Sequence, residues 1–323
     1  MARRLSRRYG PAVRRIAMGI ARRVLMLFLL LALVFAAVQL LPGDAATATA
    51  ERGSNAEEVA VVRTRLGLDR PLPERFLHWL SDLLTGGLGT SARGEHVNQL
   101  LSGPFANTVL LGLLALVITV SLSLPLGCWA ALRPGGVPDR IVSTAATAVL
   151  ALPEFVIAAA LVLVLALWTG WLPAVTVANE RGAPTSWSML VLPVLALAIP
   201  QIGWNTRIVR AALADEAKAA YVAMAVLDGL TRRRILSHHL LPGALPAIAA
   251  GAATSTGMLL GGAAVVETVF NYPGVGAVLA GAVADRDTPV IAAVVALTTA
   301  LITVALLVSD LVRVRASIVR ARP

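Results

Sequence analysis

Polar chemistry is sparse in this chain, and much of it is gathered in one stretch, AYVAMAVLDGLTRRRILSHHLLPGALP, residues 220–246. Three consecutive arginines (Arg232, Arg233, Arg234), two adjacent histidines (His238, His239) and an Asp228-Gly229 pair stand between long apolar runs. Arginines in a row suit anionic headgroups or carboxylates. The histidine pair is a poor metal signal, because neighbours on a helix point about 100° apart. No cysteine or carboxylate stands at ligand spacing beside them, so a helix-end interaction suits them better and no metal or cofactor is expected. Nucleotide hydrolysis by this chain is excluded, since a phosphate-binding loop needs G-x-x-x-x-G-K-[ST]. The only lysine, Lys218, follows Ala217. Neither H-E-x-x-H nor G-x-S-x-G occurs, so no enzymatic activity is expected.

The elements that must carry this stretch are apolar. Of 323 residues, 57% are hydrophobic and 14% charged, and the mean hydropathy is +0.78. Soluble domains run near 25% charged, so the bilayer is the natural solvent. The single cysteine, Cys128, excludes an intramolecular disulfide and reads as a small buried hydrophobe. Six apolar segments are long enough to span a membrane: 24–41, 108–132, 141–169, 187–206, 243–266 and 288–311. All six are expected to be helices, because lipid offers no partner to a bare peptide group. The fold class is therefore an all-α polytopic membrane protein. Trp168 and Trp171 mark the headgroup level at the end of the third span.

Basic residues orient the spans. Twenty of the 28 lie in a basic N-terminal segment (1–23), the loop between spans two and three, the 207–242 loop and the 312–323 tail. The other eight lie mostly on the long 42–107 segment, where the rule is weak, and on the remaining loops, of which 267–287 is one. The richer side is read as cytoplasmic, with both termini on it. The net charge of +10 is then a topology signal and not a nucleic-acid footprint. The N-terminus also resembles a cleavable signal peptide, but its apolar run of about 18 residues exceeds the roughly 7–15 of such a core.

Within the 207–242 loop, Asp215 and Glu216 are placed where a helix N-terminus favours negative charge. The spacing predicts a helix over 217–227, ended by Gly229 in the left-handed position, with Leu230 folding back onto Ala225. Thr231 is placed to cap a second helix running through the arginines to His239, lying at the cytoplasmic surface. Pro242 and Pro246 mark the return into the membrane. The first helix is apolar nearly all round, at Tyr221, Val222, Met224, Val226 and Leu227. It must bury itself against something, and lipid and a partner groove both remain open.

The stretch resembles the cytoplasmic EAA loop of ABC-importer permeases, and more narrowly that of the dipeptide/oligopeptide/nickel permease family. The family loop reads YVRTARAKGLSxxRVLxxHxLxNALxP, and Tyr221, Val222, Ala225, Gly229, Leu230, Arg234, Leu236, His239, Ala244, Leu245 and Pro246 match it. Ala223, Val226, Leu227 and Asp228 depart from it, where Arg, Arg, Ala and Lys are usual. Those departures bear on which ATPase is the partner, not on the role of the loop. Four more stretches follow in family order: FAAVQLLPGDAATA (35–48), LGLDRPLPERFLHWLSDLLTGGLGTS (66–91), NTVLLGLLAL (107–116) and VVETVFNYPGVGAVLAGAVADRDTPVI (265–291). Gly87 stands where the family has Asp, and the C-terminal VRASIVRARP departs from the usual DPRIR ending. The long segment before span two points to the B-type member of the permease pair.

The resemblance implies a type I ABC importer permease fold, with 207–242 as the coupling-helix loop, in the plasma (inner) membrane of a bacterium. It implies half of a translocation path for di- or oligopeptides, or a related small solute such as a nickel complex. The implied partners are a second homologous permease subunit, two ATP-binding subunits or a fused pair, and an extracytoplasmic binding protein. Coupling to the ATPase is implied for Tyr221, Val222, Met224, Ala225, Gly229, Leu230, Arg234 and His239. Glu154 is the main ionisable residue at membrane depth and a candidate for the path, and Gln201, Trp204 and Asn205 are further candidates. The 42–107 segment is too long for a plain connection and is read as a helical cap. Asp69, Trp79, Asp285 and Asp287 are candidates for binding-protein docking. A secondary transporter would need inverted repeats with broken helices, and none is visible. A non-ABC channel or scaffold would not need the glycine-hinged loop.

Overall fold

A computed structural model describes residues 2–39, 45–49, 56–65, 67–180 and 182–320. The last two residues of the expected first span, parts of the 42–107 segment and the last three residues of the tail lie outside the described residues. The chain divides into two compact units. Among the described residues, two isolated antiparallel bridges, Thr90 with His96 and Ala178 with Pro184, are the only non-helical pairing.

The first unit comprises Met1–Thr108, Glu180–Ala183 and Pro273–Leu301. It holds α1 (Ala2–Gln39), α2 (Ala45–Thr49), α3 (Ala56–Arg65), α4 (Leu72–Leu84), the first turns of α5 (Val97–Ala131), α12 (Val275–Ala284) and the first part of α13 (Thr288–Arg320). Pro73 and Glu74 in the first turn start α4 in the expected way. At its end Gly86 takes φ +87°, which a residue with a Cβ disfavours. Its buried face, Phe76 and Trp79, packs with Leu31 and Phe35 of α1 and with Ala292 and Ala296 of α13. The Phe35 ring lies 5.2 Å from Phe76 and 5.3 Å from Trp79. The Trp79 indole N–H donates to the Leu88 carbonyl at 3.1 Å, so the buried tryptophan is satisfied. Near the start of the second span, Asn107 donates to the carbonyls of Gly182 and Pro273, both at 2.8 Å. Beside it the Thr108 hydroxyl accepts the Val275 N–H at 3.0 Å.

The second unit comprises Val109–Asn179, Pro184–Tyr272 and Ile302–Pro323. It holds the rest of α5, α6 (Val137–Leu150), α7 (Glu154–Leu161) with a π-helical continuation Val162–Trp168, α8 (Ser188–Glu216), α9 (Ala220–Leu227), α10 (Arg232–Ile235), α11 (Leu241–Val269) and the end of α13. Its core joins Leu192 and Leu197 of α8 to Leu259, Ala263 and Val266 of α11 and Leu111 and Ala115 of α5. Small residues let the helices close up. A Cβ on Gly203 would stand 2.8 Å from the Ala146 carbonyl oxygen, and one on Gly127 would stand 2.6 Å from Val209.

Five helices are long and apolar enough to cross a membrane. The expected span over 141–169 is not one straight helix. α6 and the α7 segment meet at a 100° bend. Pro153 supplies no N–H and drives the preceding residue out of the helical region, so residues 151–153 break the run. Apart from the two residues of the first outside the description, the other five expected spans lie inside longer helices, notably Arg232–Val269.

Candidate functional site

The loop that follows α8 is built as a helix, a left-handed turn and a second helix. Asp215 and Glu216 close α8; the expectation that they open the next helix is corrected by the structure, because nothing in 211–216 breaks α8 and the turn falls at Ala217–Ala219. Lys218 pairs with Asp215 at 2.9 Å, and the Tyr221 hydroxyl donates to the Glu216 carboxylate. α9 starts at Ala220 and ends at Leu227. Gly229 then takes φ +74°. Its N–H bonds to the Val226 carbonyl at 3.1 Å, and the Leu230 N–H bonds to the Ala225 carbonyl at 3.2 Å. These are the two bonds of a Schellman cap.

Val222 and Ala225 of α9 are buried with Ile235, and Ala219, Leu230 and Leu240 pack around them. The opposite side is bare: Met224 is 60% and Leu227 80% exposed, with Val226 and Tyr221 also exposed. The Tyr221 and His239 rings lie 6.3 Å apart. Arg232, Arg233 and Arg234 are all exposed, and the His238 ring is 2.7 Å from the Ser237 hydroxyl.

Two further expectations are corrected here. Thr231 stands at the N-cap position and its carbonyl accepts the Ile235 N–H at 3.0 Å, but its hydroxyl makes no capping bond. The second helix does not stop at His239. It passes through a π-helical turn, Leu236–Leu240, straight into α11, with Pro242 in the first turn of α11 and Pro246 inside it. The wider π turn gives room for a proline ring and its missing N–H.

The candidate path residues fall in the second unit. Glu154 begins α7 immediately after the bend. Its half-buried carboxylate lies against Gly262 of α11, so closely that any Cβ there would collide with it. Gln201 and Asn205 are buried within the chain. The Asn205 amide donates to the Gln201 carbonyl at 2.9 Å and to the Ser255 hydroxyl of α11 at 2.6 Å. The Gln201 side-chain carbonyl and the Trp204 indole N–H are buried without a partner. In this conformation these side chains join α8 to α11 and do not face an open channel.

The candidate docking residues fall in the first unit. Asp69 is exposed. Asp285 pairs with Arg93 at 2.6 Å. Asp287 caps α13, accepting the Val290 N–H at 3.3 Å and the Ala92 N–H at 2.6 Å. Burial pushes its carboxyl above the ordinary value, while those two amides pull it back. Trp79 is only 5% exposed, which makes it a support beneath a surface and not a contact on it.

Sequence reasoning missed one pair altogether. Asp139 in the first turn of α6 receives Arg210 of α8 through both oxygens, at 2.5 and 2.8 Å. The Gly135 N–H (2.9 Å) and the Ser143 hydroxyl (3.2 Å) complete its shell. This bidentate arrangement ties the start of α6 to the helix that leads into α9. The partners are 71 residues apart, and no local pattern announces them.

Comparison with known proteins gives these features a context. Residues 123–316 match the family described as binding-protein-dependent transport system inner membrane component. Residues 12–110 match the N-terminal family of the same membrane components. The chain is 35% identical over 282 residues to the probable peptide ABC transporter permease protein y4tP of Sinorhizobium fredii, covering 86% of this chain and 90% of that one. It is 36% identical over 272 residues to the glutathione transport system permease protein GsiC of Pectobacterium atrosepticum, covering 84% and 87%. Among solved structures, an inward-facing MetNI methionine ABC transporter shares the fold, with a TM-score of 0.53 at 19% identity over 67% of this chain and 96% of that one. The chain therefore belongs to the binding-protein-dependent transport system inner membrane components, as a multi-pass permease subunit of an ABC importer.

Proposed function

We propose that this permease carries di- or oligopeptides, glutathione among them, or a related small solute such as a nickel complex, and that α9 is the element through which ATPase subunits drive it. The observation that carries the coupling role is the bare apolar side of α9, with Tyr221, Met224, Val226 and Leu227 exposed on a helix whose other side is anchored by Val222 and Ala225. A soluble loop would not leave so much apolar surface to water. A groove on a partner subunit removes it. Val222, Ala225 and Leu230 hold the helix in place, Gly229 sets the turn, and Arg234 and His239 flank the contact. The peptide substrate is supported by the peptide and glutathione permeases that the chain resembles over more than four fifths of its length.

In this reading both termini and the 207–242 loop are cytoplasmic, and 42–107 and 267–287 face outward. A second homologous permease completes the path, with Glu154 beside it at the bend and Gln201, Trp204 and Asn205 behind it. Two ATP-binding subunits, identical, different or fused, dock at the α9 side. The binding protein lands on the outer face, where Asp69 and Asp285 are at the surface, Asp287 is bound beneath them and Trp79 supports the cap. The test is transport by the complete complex in proteoliposomes. Labelled dipeptide or glutathione should accumulate only with ATP and the binding protein. Accumulation of a nickel chelate with no peptide uptake would move the substrate away from peptides, and uptake without ATPase subunits would contradict the importer reading.

A further inference from the structure

The first unit contains a cavity of about 200 Å³ that none of the roles above uses. It lies where two membrane helices end: Phe35 and Val38, from the end of the apolar window Ala21–Val38, line it, and so do Thr288 and Pro289, which begin α13. Its apolar side is formed by Phe35, Val38 and Trp79, and its polar side carries Arg70, Arg75 and Arg286. Two carboxylates, Glu74 and Asp287, also border it, and that of Asp287 is already engaged by the Ala92 and Val290 amides. Three guanidinium groups against two carboxylates leave a site suited to one further negative charge.

Arg286 carries a second signal. It holds φ +53° in a Schellman cap at the end of α12, with its N–H on the Val283 carbonyl (3.2 Å) and the Asp287 N–H on the Ala282 carbonyl (2.8 Å). The equivalent left-handed position is glycine after α4 and α9 (Gly86, Gly229) and asparagine after α11 (Asn271). A long side chain is disfavoured in that conformation. Arginine at a place where glycine would sit without strain points to a use for its guanidinium.

We propose that this cavity binds the phosphodiester of one anionic phospholipid, held by Arg70 and Arg286, with its acyl chains running down the apolar face of α1. Guanidinium forks match phosphate oxygens, and the cavity stands at the level where a helix leaves the hydrocarbon. Below it, Leu29, Leu30 and Leu33 of α1 are exposed and offer a surface for the chains. A soluble anion or an acidic side chain of the binding protein would satisfy the charge but leave the apolar wall and this strip unused. Assignment to the outer leaflet rests on the topology proposed above; the lipid contact itself does not.

The experiment is native mass spectrometry of the full complex, purified from vesicles containing phosphatidylglycerol and phosphatidylcholine. Wild type should retain one phosphatidylglycerol, and Arg70→Gln with Arg286→Gly should weaken that retention roughly thirtyfold, two arginines being removed. Arg286→Gly relieves the left-handed strain, so the midpoint of thermal unfolding should not fall, and lipid loss is thereby separated from loss of fold. Equal retention by wild type and the double variant would overturn the proposal, as would equal retention of phosphatidylcholine. Displacement of the lipid by inorganic phosphate would assign the site to a soluble anion instead. A double variant that keeps the lipid but loses affinity for the binding protein would make the cavity a docking pocket for an acidic side chain.

Discussion

α4 and α9 are both short helices with large apolar side chains, 13 and 8 residues long, and they place those side chains in opposite ways. α4 buries Phe76 and Trp79 against helices of its own chain. α9 buries only Val222 and Ala225 and leaves Met224, Val226 and Leu227 bare. The first helix finds its partner inside the polypeptide and stabilises the unit. The second is anchored on one side and unfinished on the other. An apolar face that the chain itself never covers is the physical mark of a contact made with another subunit or with lipid.

That contrast can be broken most severely from the α4 side. Trp79→Ala removes a buried indole and its hydrogen bond to Leu88, and such truncations cost about 3–5 kcal/mol. Thermal unfolding of the purified complex should show the first unit melting earlier, while the ATPase subunits stay attached. Release of the ATPases by Trp79→Ala, without loss of the cap, would erase the distinction between the two helices.

A smaller effect is expected at the α9 turn. Gly229 has no atom within 4 Å of where a Cβ would stand, so Gly229→Val meets no clash. It meets the left-handed backbone instead, at a cost of roughly 1–2 kcal/mol. The variant should insert and assemble, but with α9 misaimed its ATP hydrolysis should no longer yield the wild-type amount of transported peptide. Uptake and ATPase rates measured together decide this, and an unchanged ratio would remove the turn from the coupling mechanism.

The Gly229 turn was legible because its signals are local: Gly at the left-handed position, an apolar residue next, and good helix formers before it. The same holds for the apolar stretches, whose length and lack of charge are read directly. Non-local features were not legible. The 100° bend required knowing that Pro153 ends a helix here, whereas Pro193, Pro200 and Pro246 are carried inside helices. Proline alone does not distinguish these outcomes when neighbouring helices satisfy the freed groups. The passage from α10 into α11 was hidden for the same reason, since a π turn leaves no compositional trace. Gln201 and Asn205 read as path candidates because they are polar in an apolar run, but polarity cannot say whether a side chain faces a channel or an adjoining helix. Asp139 and Arg210 find each other only after the chain folds.

Docking of α9 is tested most directly at Met224, which is exposed in this chain and would be enclosed in a partner groove. Met224→Asp leaves the α9 core of Val222, Ala225 and Ile235 untouched, but on docking it would bury an unpaired carboxylate, at a cost of several kcal/mol. Met224→Leu conserves apolar volume and should cost little. The measurement is co-purification of the ATPase subunits with each permease variant at equal expression. Docking predicts that the ATPases are lost with Asp and kept with Leu. Full retention with Asp would mean that the bare face of α9 rests on lipid, and would contradict the coupling role assigned to it.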